Sequence, residues 1–303
     1  MRIAILGAGA MGSLFGGYLS QHNDVWLIDI DQSKIDIING EGVTIQEPDG
    51  GRVFHPSAVS NTADLGPMDL VIVFVKAMWS REALEKNKHL IGSKTYLMSL
   101  QNGAGHEETL LNFAPRERVI IGTTQHNSSL IKPGHIHHGG GGKTSIGFLE
   151  GNSAVLQSIA ETFSRCGFET TVSGDVKKQI WSKLFLNASA SALTAILQVK
   201  LGYVVENAHA WSLAERLIME AVAVANADNG SFDPDQVIAD VQGVLVKARD
   251  GYTSIYADVR NGIRTEVDTI SGSIVRTAKR LGVPAPNHEF VVELIHALEG
   301  KSK

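Results

Sequence analysis

The chain has 303 residues, 43% of them hydrophobic, and a formal net charge of -5 from 27 basic and 32 acidic side chains. That length makes one large or two ordinary domains with packed cores, and the scattered charge, without long basic runs, argues against nucleic acid or an anionic membrane face as partner. The single Cys166 offers neither an internal disulfide nor a Cys partner for a metal site, which suits a reducing cytoplasm.

The N-terminus lacks the charged-then-apolar order of a signal peptide, and no apolar run reaches the roughly 18 residues that span a bilayer. A soluble, cytoplasmic protein is therefore expected. The first stretch, Arg2-Ile-Ala-Ile-Leu-Gly7-Ala8-Gly9-Ala10-Met11-Gly12, reads as strand, tight turn and helix, the helix running from about Met11 to Ser20. Gly7 lets the chain leave the strand, Gly9 leaves room for a pyrophosphate at the backbone, and Gly12 lets the helix lie close to the sheet. The open amides of the helix's first turn, aided by its dipole, would hold the phosphates. Ala8, Ala10 and Met11 belong to the same cradle.

Asp24 to Asp29 reads as a second strand ending in an acid 17 residues beyond Gly12. A carboxylate there accepts hydrogen bonds from the adenosine ribose of NAD and repels the extra phosphate of NADP. Asp29 could instead only end its strand and cap the next helix, and Lys34 leaves NADP open. The segment Val43 to Ser60 reads as a short excursion in hairpin or extended form. Near-continuous apolar runs follow at Asp69–Val75, Thr95–Leu100 and Arg118–Thr124, the pattern of parallel strands buried on both faces. Strand and helix alternate as in a doubly wound sheet, whose ligands bind beyond the carboxyl ends of the strands, here at Gly7, Lys76, Asn102 and Thr123.

Pro133 to Gly147 holds His135, His137 and His138 beside four glycines. With no Cys or carboxylate nearby to complete a ligand set, a metal-free antiparallel turn is the simpler reading. Ala154 to Gly167 is an amphipathic helix and Glu169–Ser173 a last short strand. The fold class expected is α/β, an N-terminal Rossmann-like doubly wound sheet over residues 1–174 and an all-helical domain over 175–303, with the cleft between them as the site. Helical periodicity runs through Val176–Leu197, Trp211–Ala227, Pro234–Ala248, Ile255–Leu281 and Glu289–Leu298, with breaks at Gly202, Asn229-Gly230, Gly251 and Gly282-Val-Pro284.

On the first of these helices Lys183, Asn187 and Ser191 are successive i+4 neighbours, so one stripe carries an amine, an amide and a hydroxyl. Ser254, just before the fourth, and Glu266 within it lie on the run Ser254-Ile-Tyr-Ala-Asp258 onward. Twelve residues at about 100° each leave them about 120° apart, so both meet one cleft only if it is wide or the helix begins late.

These landmarks, together with Val75-Lys76-Ala77, Gln101-Asn102-Gly103, Gly122-Thr-Thr-Gln-His126 and Arg264-Thr-Glu266-Val-Asp268, make the chain resemble the ketopantoate reductase (2-dehydropantoate 2-reductase) family along its whole length. The resemblance implies an NAD(P)H-dependent oxidoreductase that reduces a 2-oxo acid to a 2-hydroxy acid, as in pantothenate biosynthesis. By it Lys183 would be the proton donor, with Asn187, Ser191 and Ser254 around the substrate, Asn102 and Lys76 near the cofactor, and Glu266 holding the ternary arrangement. A homodimer is implied only by resemblance.

Ser191, Leu201 and Gly251 stand where the family typically places Asn, and Ile30 where NADP-using relatives often carry Arg. Both departures keep open an NAD-dependent D-2-hydroxyacid dehydrogenase acting on branched or aromatic 2-oxo acids. A redox-sensing nucleotide-binding protein would not need Lys183, Asn187 and Glu266. A β-hydroxyacid dehydrogenase would carry a serine-glycine signature near residue 120, where Gly122-Thr-Thr stands.

Overall fold

The computed structural model describes residues 1–150 and 154–302. They group into two compact units: Met1–Gln101 with His106–Val176, and Asn102–Gly105 with the chain from Lys177 onward.

The first unit runs β1 (Arg2–Leu6), α1 (Ala10–Leu19), β2 (Asp24–Ile28), α2 (Gln32–Glu41), β3 (Val43–Glu47), β4 (Gly50–Phe54), β5 (Ser57–Val59), β6 (Leu70–Val73), α3 (Ser80–Lys86), β7 (Tyr96–Ser99), α4 (His106–Leu110), β8 (Val119–Thr124), β9 (Asn127–Lys132), β10 (His135–Gly140), β11 (Thr144–Phe148), α5 (Ala154–Arg165) and β12 (Thr170–Val172). Eight strands form one sheet in the order β12-β11-β8-β7-β6-β1-β2-β5. Its six strands from β5 to β8 are parallel, and β11 turns antiparallel against β8. Counted along the chain, the parallel strands stand third, second, first, fourth, fifth, sixth, so the winding reverses between β1 and β6, the ligand crevice of a doubly wound sheet.

The excursion at Val43–Ser60 has two parts. A hairpin of β3 and β4 pairs Val43 with Phe54 and, with β9 and β10, builds a second sheet of four strands, while β5 joins the edge of the large sheet beside β2. Helix α1 packs on both sheets. Its Phe15 stacks on Phe168, ring centres 4.0 Å apart, within a core that includes Ile3, Ile5, Leu27, Ile45, Ile120 and Phe163.

The second unit is helical: α6 (Val176–Leu197), α7 (Leu201–Glu206), α8 (Ala208–Ala227), α9 (Pro234–Lys247), α10 (Ser254–Arg260), α11 (Ser271–Leu281) and α12 (Pro286–Glu299). Leu184, Phe185, Ile218, Val222, Ile274 and Ile295 belong to its core. Although no uninterrupted apolar run reaches bilayer length, α6 is long and apolar enough by composition to cross a membrane, and 61% of its most apolar window is buried inside the protein. Its apolarity belongs to a core helix, flanked by partners on most sides.

Two expectations fail here. The pattern from Ile255 to Leu281 is broken, because residues 261–270 form turns and irregular chain between α10 and α11. Asn261 caps α10, and Gly262 follows with φ +65°. Gly202 is no break either: it lies inside α7, its amide donating to the Arg249 carbonyl at 2.9 Å. Glycine here serves close packing, since a Cβ would stand 2.9 Å from Arg249 Cβ.

Candidate active site

At the crevice of the first unit, Gly7 ends β1 with φ +104°, and a Cβ on it would press to 2.8 Å from the Val75 amide nitrogen. A Cβ on Gly12 would lie 1.8 Å from the Gly7 carbonyl oxygen, so only glycine lets α1 start this close to the turn. Gly9 is the N-cap of α1 and carries no side chain over the first turn, which also holds no acidic residue. A Cβ there would meet nothing within 4 Å. Ala10, Met11 and Gly12 thus offer backbone amides at a helix start without a side-chain cap, a fit for a pyrophosphate.

Asp29 follows β2. Its Oδ2 accepts from the Ala8 amide at 2.9 Å and from Lys34 Nζ at 2.8 Å, and its Oδ1 from the Asp31 amide at 3.1 Å. It therefore braces the glycine turn. Capping of α2 falls to Asp31, which accepts from the Ser33 and Lys34 amides. Beside Asp29 opens a cavity of about 440 Å³ lined by Gly7, Ile30, Asn61, Thr62, Trp79 and Lys86, among others. Ile30 and Trp79 are large apolar residues left 86% and 54% exposed at its wall, a surface on which an aromatic base can lie. Sequence reasoning missed this wall, because its residues come from the ends of β2 and β5 and from the chain around α3. The exposed Ile30 directly after the strand-end acid was the one available signal.

Lys76 follows β6, half-buried, at the start of a short 3-10 turn over Ala77–Trp79. Gln101 fixes the neighbouring loops: its Nε2 donates to the Val75 carbonyl at 2.6 Å and to Ser80 Oγ at 3.0 Å. Thr123 lies in β8, with its hydroxyl buried.

The histidines after Pro133 meet a carboxylate the sequence did not place near them. His138 Nδ1 bonds Glu47 Oε1 at 2.9 Å, and His138 Nε2 bonds His126 Nδ1 at 3.0 Å. Tyr18 and Arg52 close the network on Glu47. Burial would raise the Glu47 carboxyl, but the hydrogen bonds from Tyr18, His138 and Arg52 prevail and hold it at about 2. Among the described residues no group of three or more His, Cys, Asp or Glu could hold a metal ion.

In the helical unit, Lys183 and Asn187 are half-buried on α6 and Ser191 is buried. Burial lowers the Lys183 ammonium from 10.5 to about 8. Ser254 opens α10, whose N-cap Thr253 bonds Thr194 Oγ1 at 2.9 Å and the Ser191 carbonyl at 3.4 Å. The start of α10, with Ser254 its first residue, is thus tied to the backbone of α6 at Ser191. The Leu201 amide donates to the Gly251 carbonyl at 3.1 Å, which sets these two of the three departures expected from the sequence, Ser191, Leu201 and Gly251, side by side.

Glu266 is half-buried in the irregular chain before α11. The Asn102–Gly105 segment belongs to this unit: the Ala104 amide donates to the Thr269 carbonyl at 3.1 Å, bringing Asn102 near the Glu266 turn. The break after α10 removes the 120° difficulty, because Ser254 and Glu266 do not share a helix.

A sequence profile described as "Ketopantoate reductase PanE/ApbA" matches residues 3–151, and one described as "Ketopantoate reductase PanE/ApbA C terminal" matches residues 175–299. The 2-dehydropantoate 2-reductase of Halobacterium salinarum is 32% identical over 302 residues, covering 98% of this chain and 96% of that protein. That of Pyrococcus horikoshii is 33% identical over 301 residues, covering 99% and 98%. Among solved structures, D-mandelate dehydrogenase with NADH and anilino(oxo)acetate is 31% identical, with a TM-score of 0.94 over 100% of this chain and 99% of that one.

Proposed function

Since the chain belongs to the ketopantoate reductase PanE/ApbA family, we propose that it reduces a 2-oxo acid to the 2-hydroxy acid with a reduced nicotinamide dinucleotide, Lys183 giving the proton. The family's own substrate, 2-dehydropantoate, is the first to assign. When bound, the reduced nicotinamide supplies the hydride that adds to the carbonyl carbon. Lys183 donates its Nζ proton to the carbonyl oxygen, so that no free alkoxide forms, and is reprotonated from water.

The observation that carries this reading is the half-buried stripe of α6 on which Lys183 stands with Asn187 and Ser191, where burial lowers its ammonium to about 8. A donor of that acidity is charged at neutral pH yet gives up its proton more readily than an exposed lysine. Asn187, Ser191 and Ser254 orient the substrate, and Asn102, Lys76 and Glu266 hold the arrangement of substrate and cofactor. Gly7, Ala8, Gly9, Ala10, Met11 and Gly12 cradle the pyrophosphate.

NAD is the cofactor assigned. The charged residues lining the cavity are Asp29, Glu82 and Lys86, two carboxylates against one ammonium, with Lys86 held 2.8 Å from Glu82. A phosphomonoester finds little attraction there. Lys34, already 2.8 Å from Asp29, moderates the preference by partly neutralising that carboxylate.

A second reading, an NAD-dependent D-2-hydroxyacid dehydrogenase for branched or aromatic 2-oxo acids, is favoured by the Leu201–Gly251 pair and by the likeness to D-mandelate dehydrogenase. An apolar wall accepts bulk without demanding a hydroxyl. One matrix separates the two: 2-dehydropantoate, 2-oxoisovalerate and benzoylformate, each with NADH and NADPH. Highest kcat/KM on 2-dehydropantoate supports the first reading and on benzoylformate the second, a tenfold preference for NADPH overturns the role given to Asp29, and NADH binding without turnover makes the protein a sensor.

A further inference from the structure

Residues 261–270 belong to neither helix nor strand, so their backbone groups take partners outside a regular ladder. Most pair within the turn itself, but at Thr265 and Asp268, on either side of Glu266, two side chains from the end of α12 take part. Glu299 Oε1 accepts from the Thr265 amide at 2.8 Å, and Glu299 Oε2 meets His296 Nδ1 at 2.9 Å. The other ring nitrogen of His296 reaches Asp268 Oδ1 at 3.0 Å. Thr265 and Val267 are buried on either side of Glu266. The Glu266 carbonyl accepts in turn from the Thr269 and Ile270 amides at 3.1 and 3.2 Å and from Thr269 Oγ1 at 3.1 Å.

The same turn carries a second candidate site residue. Thr269 gives its carbonyl to the Ala104 amide, and a Cβ on Gly103 (φ +97°) would stand 1.9 Å from that oxygen, so this contact admits only glycine beside Asn102. The side chains of Glu299 and His296 thus hold residues 265 and 268, and the turn they hold carries both Glu266 and, at its next residue, the Thr269 carbonyl that meets the chain beside Asn102.

We propose that Glu299 and His296 are positioning residues, a clasp from the last helix that sets Glu266 and Asn102 for holding the 2-oxo acid against the cofactor. The proposal rests on the function assigned above. Neither residue touches the reacting atoms; each acts through the backbone of the 265–269 turn. Both ring nitrogens of His296 face carboxylate oxygens, an arrangement complete when the ring is protonated. Partial burial opposes that state, but the hydrogen bonds and charges of Glu299 and Asp268 outweigh it and raise the His296 pKa.

A clasp that only stabilises the fold would change melting and leave kinetics alone, so the test is a KM-against-kcat split. E299A and H296A are expected to raise KM for the 2-oxo acid about tenfold with kcat within about twofold, since a loosened turn misplaces the groups that hold substrate. E299Q keeps a carbonyl oxygen for the Thr265 amide and is expected to restore KM to within about twofold of wild type. H296Q, which can still donate to one carboxylate, should fall between. Wild-type KM in both alanine variants, or E299Q as impaired as E299A, overturns the clasp. Absence of turnover by the wild-type protein on every 2-oxo acid removes the assigned function and the clasp with it, whereas wild-type turnover with unaltered variants removes only the clasp.

Discussion

With Lys183 as the proposed proton donor, its acidity sets how the enzyme should respond to pH. Burial disfavours the charged form and brings the ammonium to about 8. Reduction needs the protonated donor, so kcat/KM for the 2-oxo acid is expected to be flat below about 8 and to fall tenfold per pH unit above it. Oxidation of the 2-hydroxy acid needs the neutral amine and should rise across the same window. K183A should lower kcat by a factor of about 10² or more and abolish that inflection. A K183A enzyme with wild-type turnover, or an unmoved inflection, removes Lys183 as the acid. The same shift has a stability sign. A lysine whose folded pKa lies below its unfolded value costs stability while it is charged, and that cost is relieved as pH rises from about 8 toward 10.5. Lys183 is thus held against the preference of its surroundings, as a functional cation often is.

At the scale of elements, α1 follows the glycine turn and packs on the four-stranded sheet, whose residues Glu47, His138 and Arg52 form a network with Tyr18 of α1 and His126. Glu47 sits at the end of β3, only 12% of its side chain exposed, and accepts from partners on α1, β4 and β10. Its folded pKa, about 2, lies below the 4.5 usual for a glutamate. The stability it contributes is present above about 4.5 and is lost as pH falls toward 2. The advantage of wild type over E47Q in urea unfolding is expected to shrink by about 2 kcal/mol between pH 6 and pH 3. An advantage unchanged with pH would show that Glu47 is not ionised within the network. This network also marks where the sequence stops being legible. The runs at Leu70–Val73 and Val119–Thr124 declared themselves because strands buried on both faces are apolar throughout. The Glu47–His138 pair joins residues 91 positions apart, and no local pattern brings them together. Within the candidate site, the cradle and the α6 stripe were readable because each lies on one element. The wall of the cavity beside Asp29 and the contacts of Glu299 and His296 with residues 265–268 were not, because each is assembled from several. The break after α10 was hidden for another reason: apolar residues such as Val267 and Ile270 keep a helical spacing through the irregular stretch because they are buried there.

For the molecule as a whole, the decisive fact is that each unit has its own core, one built around Phe15, Phe163 and Phe168 and the other around Phe185, Ile218 and Ile274. A ligand that binds only the folded first unit stabilises it by mass action whether or not any reaction follows. At a hundred times its Kd, NADH should add about 2.7 kcal/mol, which for a unit of this size is roughly 5–10 °C in melting temperature. NADPH at the same concentration should give a smaller shift, because Asp29 and Glu82 face the cavity where its extra phosphate would go. D29A should narrow the difference between the two while also weakening the turn, since Asp29 holds the Ala8 amide at 2.9 Å. G12V should abolish both shifts, for its side chain would occupy the 1.8 Å between a Cβ and the Gly7 carbonyl. Thermal shift thus tests nucleotide binding apart from turnover. A larger shift with NADPH would overturn the cofactor assignment, and no shift with either nucleotide would remove the glycine turn as its seat, however Lys183 behaves.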